Sequence, residues 1–177
     1  MKITLVRHGE TEENYEGKIL GRKNVLLNET GRRQALRLKN NLSALHYDLC
    51  FTSPFIRCFE TALVAVGDRV EIIRDDRIQE RDMGELEGRP VEEYNAFQFW
   101  NYDKNRSDYG VEPVQDILER CEDFLNEIKE KYPDKSILIV THSGTYRALR
   151  HLIKKDPLKG NLLDGKIPNG SYEEFEI

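Results

Sequence analysis

A histidine directly follows the first apolar run of the chain. Residues 3–6 (Ile-Thr-Leu-Val) have the composition of a buried strand, and Arg7, His8 and Gly9 come immediately after it. An imidazole can act as a nucleophile or a proton carrier near neutral pH. A guanidinium matches the oxygens of a phosphate, and a glycine lets the backbone approach a bound group. The same tripeptide also fits a strand that ends in a solvated histidine.

Polar residues follow three later strand-like runs as well. These runs lie at residues 48–52, 70–73 and 137–141. The polar side chains that come after them are Arg57, Glu80 and His142. Because the carboxyl ends of parallel strands meet at one edge of a sheet, where open α/β sheets bind ligands, we expect all three to lie beside Arg7 and His8.

Such a set of side chains suits the transfer of a phosphoryl group. Two arginines and a second imidazole can neutralise the phosphate, His8 can attack it, and the carboxyl group of Glu80 can supply a proton to the departing oxygen. His8 must be neutral to attack, and nearby cations lower the pKa of an imidazole. The backbone amides of a helix that begins near Ser143 are expected to add positive potential for an anion.

The elements that must position these residues alternate along the chain. Strand-like runs lie at residues 2–6, 48–52, 70–73, 137–141 and 171–176. Helical patterns lie between them, and the continuously apolar run at 137–141 is typical of a strand buried on both faces. The alternation predicts an α/β fold, a three-layer α/β/α sandwich with a mostly parallel central sheet. No repeat or linker is visible, so we expect residues 1–177 to form a single domain.

Four helices are expected between the strands. Thr30 is the predicted N-cap of a helix over residues 31–45. Pro54 fits the first turn of a helix that runs to about Val66 and ends at Gly67. Pro113 opens a third helix, whose apolar stripe lasts until Pro133, and a last helix is predicted over residues 144–155.

Residues 81–112 break this alternation. The segment contains six aromatic residues among charges: Tyr94, Phe97, Phe99, Trp100, Tyr102 and Tyr109. One interpretation is an excursion that covers the active edge as a lid and lines the substrate pocket. The other is a short amphipathic helix that packs its aromatic side chains on the sheet, which is the commoner role for any single aromatic residue.

Composition narrows the function classes. The 177 residues are 38% hydrophobic and 33% charged, which is typical of one globular domain with a sizeable core. The net charge of −5 does not suggest a nucleic-acid partner. No apolar run approaches the roughly 20 residues that a membrane span needs, and residues 1–2 lead directly into a strand, without the pattern of a signal peptide. Three widely spaced cysteines, Cys50, Cys58 and Cys121, argue against a disulfide framework and favour a cytoplasmic location.

Other reactive residues fit ordinary structural roles better. Cysteine-dependent phosphatases need a cysteine and an arginine separated by five residues, whereas six separate Cys50 from Arg57. Because Cys50 also falls inside an apolar strand, we expect it to be a buried thiol. No set of residues has zinc-ligand spacing. His46 and His151 lie outside the motifs, and both are expected on the surface.

Five separated segments together reach from Met1 to about Leu149. They are residues 7–11 (RHGET) with Asn14, Gly21 with residues 27–35 (LNETGRRQA), residues 52–61 (TSPFIRCFET), residues 80–88 (ERDMGELEG) and residues 140–149 (VTHSGTYRAL). In this order they resemble the motifs of the histidine phosphatase superfamily, in its phosphoglycerate mutase-like branch. Each segment is a weak signal alone, but five in the right order are a specific one.

This resemblance implies a role for each matching residue. It implies that His8 becomes phosphorylated and that Glu80 donates a proton. It implies that the phosphoryl group is bound by Arg7, Arg57 and His142. Substrate-binding residues are expected at Asn14, Gly21, Arg22 and Ser143, and neither a metal nor a cofactor is expected. The chain departs from the family at Leu86, where tryptophan is common, and at residues 111–113 (Val-Glu-Pro), where Gly-Glu-Ser is common.

Three functions remain in competition. The leading one is a metal-independent phosphomonoesterase that acts on a small phosphorylated metabolite through a phosphohistidine. The alternative is a phosphoglycerate mutase, which must exclude water; mutases of this family generally carry longer insertions than the roughly 30 residues found between the acid motif and the third helix. The third is an inactive phospho-ligand binder, which the presence of His8, Glu80 and His142 disfavours. A monomer and a homodimer fit the sequence equally well.

Overall fold

The computed structural model describes residues 1–177, and a five-stranded sheet lies at its centre. Its strands are β1 (Lys2–Arg7), β2 (Leu49–Thr52), β3 (Glu71–Arg74), β4 (Ser136–Thr141) and β5 (Tyr172–Glu176). Their order across the sheet is β3-β2-β4-β1-β5, and β5 alone runs antiparallel to its neighbour. The prediction of a mostly parallel sheet is therefore confirmed, and each of the five strand-like runs coincides with a strand to within one residue at either end.

The register of the sheet brings the chemically interesting residues to one edge. Arg7 of β1 pairs with Thr141 of β4, and Thr52 of β2 pairs with Val140 of β4. The three strands therefore end at nearly the same level. The residues that follow β1 and β4 are His8 and His142, so both imidazoles begin at the carboxyl edge of the sheet.

Helices cover both faces of the sheet. They are α1 (Glu12–Tyr15), α2 (Glu29–Leu42), α3 (Ile56–Val66), α4 (Ala96–Phe99), α5 (Val114–Lys131) and α6 (Ser143–Lys154). Side chains of α5 and α6 pack with Ile3, Leu5 and Ile139 in one core cluster. Side chains of α2 and α3 pack with Val6 and Leu138 in another. Because alternate residues of β1 and β4 enter different clusters, the sheet separates two helical layers, as predicted.

Two helices begin away from the predicted residues, and one of them also ends earlier than predicted. The N-cap of α2 is Asn28, whose side-chain oxygen accepts a hydrogen bond from the Gly31 amide at 2.8 Å. Thr30 instead lies inside the first turn, because the Asn28 backbone amide donates to Glu10 and keeps residue 28 extended. The helix also ends at Leu42 rather than near residue 45. Helix α3 begins at Ile56 and ends at the predicted glycine, Gly67, whose φ is +55°.

The excursion over residues 81–112 contains only α4 and short 3₁₀ turns. Four of its apolar side chains, those of Met83, Leu86, Phe99 and Val111, form a small cluster with Ile19. Gly84 has a φ of +51°, and a β-carbon there would overlap the backbone of residues 109–110. A glycine is therefore required where the two ends of the excursion meet.

No helix of the chain combines the length and the apolar character that crossing a bilayer requires. The three cysteines are all buried and unpaired. Burial raises the pKa of the Cys50 thiol to about 12, so this thiol stays protonated, in agreement with the buried structural role expected for it.

Candidate active site

A cavity of about 220 Å³ opens at the carboxyl edge of the parallel strands. Arg7 and His8, at the end of β1, and Ser143, at the start of α6, line it together with Glu80. Its apolar lining comes from Ile19, Leu20, Met83, Val91, Tyr94 and Trp100. A larger groove of about 460 Å³ lies at the opposite edge of the sheet. That groove lacks this convergence of arginine, histidine and carboxylate, so the smaller cavity is the candidate site.

The imidazole of His8 is almost completely buried at the cavity. Its Nδ1 atom lies 2.6 Å from the carbonyl oxygen of Gly9. Because a carbonyl oxygen can only accept, Nδ1 carries the hydrogen, and Nε2 of the neutral ring keeps a free lone pair. Burial, followed by the charges of Arg57 and Arg7, holds the pKa of His8 well below its usual value. The residue is therefore a neutral imidazole whose Nε2 carries a free lone pair.

His142 has the opposite hydrogen-bond pattern. Its Nδ1 accepts from Nε of Arg57 at 3.2 Å, so the ring hydrogen resides on Nε2, which donates to the Ser53 hydroxyl at 2.7 Å. Burial and then the Arg57 charge hold the pKa of His142 well below its usual value. The ring is therefore neutral in this structure, and its help in binding a phosphoryl group stays a prediction.

Arg57 is fully buried and holds the loop that precedes α2. Its Nη1 donates to the carbonyl of Lys23 at 2.6 Å, and its Nη2 donates to the carbonyl of Gly21 at 2.9 Å. Neither Arg57 nor His142 is among the residues that line the cavity. Both lie directly behind it, and the edge of the His142 ring faces His8 with 5.1 Å between the ring centres.

Arg7 and Asn14 present hydrogen-bond donors to the cavity. Nη1 of Arg7 donates to the Ile167 carbonyl at 2.8 Å, but its buried Nε has no hydrogen-bond partner. The side-chain oxygen of Asn14 accepts from Asn169 at 3.0 Å and from the Thr11 amide, which leaves the amino group of Asn14 without an acceptor. A buried donor without a partner is costly, so an anion bound here would satisfy Arg7.

The carboxylate of Glu80 is held by the first turn of α6. It accepts hydrogen bonds from the backbone amides of Gly144 at 3.1 Å and Thr145 at 3.2 Å, and from the Arg81 amide at 2.9 Å. Two amides at this helix end therefore hold the predicted acid, because Glu80 reaches the helix N-terminus from the loop after β3. That this helix end adds positive potential for a bound anion stays a prediction.

The predicted substrate-binding loop divides into two parts. Gly21 lines the cavity with a φ of +52°, and a β-carbon there would overlap the carboxylate of Glu87. The side chain of Arg22 does not line it. Its guanidinium lies 3.5 Å from the carboxylates of Asp82 and Glu112. The two acids therefore hold the Arg22 side chain outside the lining of the cavity, and its contact with substrate stays a prediction.

Sequence reasoning missed three cations that line the cavity: Lys18, Arg81 and Arg147. A signal for Arg147 was present in the sequence. It follows Ser143 by four residues, and residues four apart lie on the same face of a helix. Arg81 directly follows Glu80, and its guanidinium is fully buried with hydrogen bonds to protein oxygens.

The aromatic residues of the excursion take both of the roles considered for them. Tyr94 and Trp100 line the cavity. Phe99 packs in the small apolar cluster, whereas Phe97 and Tyr109 are 65% and 55% exposed. Two aromatic residues of the excursion thus form part of the cavity wall, whereas Phe99 is packed in the interior and Phe97 and Tyr109 are exposed to solvent.

One histidine outside the motifs is misplaced by the sequence analysis. His46 is exposed as expected, but His151 is only 5% exposed. Its Nε2 faces the Leu162 carbonyl at 3.0 Å and the Asp164 carboxylate at 2.6 Å, because the loop after α6 folds back over the helix. His151, Asp156 and Asp164 are the one group of side chains close enough to hold a metal ion, and none of them lines the cavity.

Comparison with known proteins agrees with this architecture. A sequence model of the histidine phosphatase superfamily (branch 1) matches residues 3–177. The chain is 33% identical over 156 residues to phosphoserine phosphatase 1 of Hydrogenobacter thermophilus, covering 84% of this chain and 74% of that protein. It is 34% identical over 186 residues to phosphoglycerate mutase-like protein 4 of Arabidopsis thaliana, covering 99% and 79%.

A solved structure is similar over nearly the whole length of the chain. Bacillus stearothermophilus YhfR superposes with a TM-score of 0.87 at 27% identity, and the match covers 99% of this chain and 91% of that one. The fold, the match to the family model and the relatives all agree with the five motifs. The chain belongs to the histidine phosphatase superfamily and is a phosphatase whose relatives include mutase-like proteins.

Proposed function

We propose that the protein hydrolyses a small phosphate monoester through a phosphohistidine at Nε2 of His8. The observation that carries this proposal is the hydrogen bond from Nδ1 of His8 to the Gly9 carbonyl. It leaves Nε2 unprotonated at the cavity, while burial keeps the ring neutral by lowering its pKa. A neutral, oriented imidazole is the form that can attack phosphorus.

The first step transfers the phosphoryl group to the enzyme. A bond forms between Nε2 of His8 and phosphorus as the ester P–O bond breaks. Glu80, which takes up a proton when the phosphate ester binds beside it, passes this proton to the departing oxygen. Arg7 binds the phosphoryl oxygens through its free Nε, and Asn14 donates from its amino group. Arg57 acts from behind the cavity, where its charge favours the neutral form of His8.

The second step returns the histidine to its starting state. Glu80 takes a proton from water, the water oxygen bonds to phosphorus, and the bond to Nε2 breaks to release phosphate. A polar cavity of about 610 Å³ adjoins the site and shares Arg7, Asn14 and Lys18 with it. This neighbouring space offers water a route to the phosphohistidine, which supports hydrolysis over the mutase reaction.

No metal is required by this arrangement, because positive charge is supplied by arginines. The substrate is proposed to be a small metabolite, given the cavity volume of about 220 Å³. We also propose that residues 1–177 form one catalytic domain, since β5 near the carboxyl terminus pairs with β1. The buried, unpaired cysteines support a cytoplasmic location.

A rapid-quench experiment tests the intermediate. Substrate labelled in its phosphoryl group is mixed with enzyme and quenched in acid or in base, because a phosphoramidate is labile to acid and stable to base. Base-stable label is expected on the wild type and on a His46→Ala control, whose exposed imidazole lies outside the cavity, but not on His8→Ala. Equal label on His8→Ala would overturn the assignment.

The same samples separate hydrolysis from the mutase reaction. Inorganic phosphate should appear at the rate at which the ester disappears. An isomeric phosphate ester formed without free phosphate would favour the mutase.

A further inference from the structure

Residues 167–171 cross the end of β1 just before β5 begins. The backbone amide of Gly170 donates to the carbonyls of Arg7 and His8, both at 3.1 Å. These bonds continue the pairing of β5 with β1. The side chain of Asn169 extends from this segment towards the residues that follow β1, and the reaction proposed above does not use it.

The amino group of Asn169 faces three acceptors. It donates to the carbonyl oxygens of His8 at 3.2 Å and Gly9 at 3.4 Å, and to the side-chain oxygen of Asn14 at 3.0 Å. An asparagine amino group has two hydrogens, so it can serve more than one acceptor, whereas the amide oxygen can only accept. The three acceptors therefore fix which end of the Asn169 amide faces the end of β1.

Two of these acceptors control groups that the proposed reaction uses. The Gly9 carbonyl holds the hydrogen on Nδ1 of His8, which leaves Nε2 free. The side-chain oxygen of Asn14 is held by Asn169 and by the Thr11 amide, so the amino group of Asn14 stays available at the cavity. Half a turn of the Asn14 amide would instead present its oxygen, which cannot hydrogen-bond to a phosphate oxygen.

Asn169 reaches the reaction only through the groups that it holds. It lines the neighbouring cavity of about 610 Å³ and not the candidate active site. A proline and a glycine flank it, which is typical of a turn residue. However, its side-chain partners lie 155 to 161 residues earlier in the chain. The side chain therefore does more than stabilise its own turn.

We propose that Asn169 is a positioning residue for the transfer of the phosphoryl group to His8. This inference rests on the proposed phosphatase reaction. The amino group of Asn169 ties the peptide that follows His8 to the side chain of Asn14. The nucleophile and a donor to the phosphoryl group thereby keep a fixed separation. Such a tie matters because a misplacement of about 1 Å can slow a reaction by about 10²-fold.

Single-turnover phosphorylation of His8 tests this role. Asn169→Ala removes the donor but keeps the backbone bonds of residue 170, so the variant is expected to fold. With an alkyl phosphate labelled in its phosphoryl group, the rate constant for base-stable label should fall roughly tenfold, as expected for one or two neutral hydrogen bonds. With 4-nitrophenyl phosphate it should fall by the same factor, because Asn169 does not act on the leaving group. Partial unfolding would lower the amount of label but not the rate constant.

Three further variants separate positioning from a general loss of structure. Asn169→Gln keeps the amino group, and the neighbouring cavity has room for the longer side chain, so its rate constant should be intermediate. In an Asn14→Ala background, Asn169→Ala should slow the reaction less than it does alone, because the two side chains act together. Asn161→Ala is the matched control. Asn161 precedes β5 in the same connection but lines neither cavity, so this variant should keep the wild-type rate constant.

Three results would overturn the inference. They are an unchanged rate constant in Asn169→Ala, an equal effect of this substitution with and without Asn14, and a slowing confined to the alkyl phosphate, which is the pattern expected for the acid. All three differ from a failure of the phosphatase proposal, in which the wild type itself would carry no base-stable label on His8.

Discussion

At the scale of single residues, two buried imidazoles with opposite tautomers define the site. His8 donates from Nδ1 and exposes Nε2, whereas His142 accepts at Nδ1 and donates from Nε2. Burial lowers the pKa of both residues, and the charge of Arg57 lowers it further. Both rings are thereby neutral, and only His8 keeps a ring nitrogen without a hydrogen-bond partner.

These lowered pKa values predict how stability depends on pH. In the unfolded chain both histidines take up a proton near pH 6.5, whereas in the folded protein they stay neutral to a much lower pH. Below pH 6.5 the unfolded state binds more protons, so the free energy of unfolding falls as the pH falls. Each histidine contributes a slope of up to about 1.4 kcal/mol per pH unit.

Urea unfolding of the wild type and of His8→Asn between pH 7.5 and pH 5 measures this slope. The variant keeps a donor for the Gly9 carbonyl but cannot titrate, so its curve should fall less steeply on acidification. Parallel curves for the two proteins would show that His8 does not gain its proton on unfolding.

The carboxyl group of Glu80 should matter in proportion to the basicity of the leaving group. An alkoxide needs a proton as it departs, whereas nitrophenolate does not. Glu80→Gln should therefore slow single-turnover phosphorylation by an alkyl phosphate by about 10²–10⁴, and much less by 4-nitrophenyl phosphate. Glu85→Gln is the matched control, because Glu85 is exposed in the same segment. Equal slowing of both substrates by Glu80→Gln would remove the acid role.

At the scale of elements, the first turn of α6 organises the site. The amides of Gly144 and Thr145 hold the Glu80 carboxylate, and Arg147 projects into the cavity one turn after Ser143. The helix therefore orients the Glu80 carboxylate and carries the Arg147 guanidinium on one rigid support. The glycine is required for this arrangement, since a β-carbon at residue 144 would lie 2.5 Å from Oε1 of Glu80.

We therefore expect Gly144→Ala to lower activity by disturbing the carboxyl group of Glu80. The added methyl group displaces the Glu80 carboxylate, so hydrolysis of an alkyl phosphate should slow by roughly tenfold or more, within the range of general acid catalysis. Hydrolysis of 4-nitrophenyl phosphate should slow less. In a Glu80→Gln background the same alanine should add little, because residues that act together are not additive. Full additivity would show that Gly144 acts by another route.

At the scale of the whole molecule, the charge around the cavity is opposite in sign to the net charge of the chain. The chain has a net charge of −5, yet cations outnumber carboxylates around the cavity. The fold creates this local field by bringing together the ends of β1 and β4, the excursion and the loop before β5. That loop reaches the site through Ile167, whose carbonyl binds Arg7, and Asn169, whose amide donates to the His8 carbonyl at 3.2 Å.

Because arginines supply the positive charge at the cavity, we expect activity without a divalent ion. Hydrolysis of 4-nitrophenyl phosphate should be unchanged, within about twofold, by an excess of EDTA. The one cluster with potential metal ligands, at His151, Asp156 and Asp164, lies outside the cavity. A loss of activity that added Mg²⁺ or Zn²⁺ restores would contradict this prediction.

The sequence by itself determined the layered fold and the candidates for the reaction. Apolar runs indicate buried strands, and apolar residues repeated every 3.6 positions indicate the buried face of a helix. Both patterns depend only on residues that are close in the chain. The five motifs determined the family because each keeps its own local pattern. Cap positions were harder to predict, since Asn28 and Thr30 are both good caps, and a hydrogen bond to Glu10 decides between them.

Only the tertiary structure decided how the candidates are arranged. The proton position of His142 depends on an arginine 85 residues earlier in the chain. The place of Glu80 depends on amides 64 and 65 residues later. Arg22 is held outside the cavity by Asp82 and Glu112, and Arg147 is held at the cavity by the carbonyl of Asp164. A side chain's hydrogen-bond partners are set by where distant segments cross, and no periodicity along the chain records those crossings.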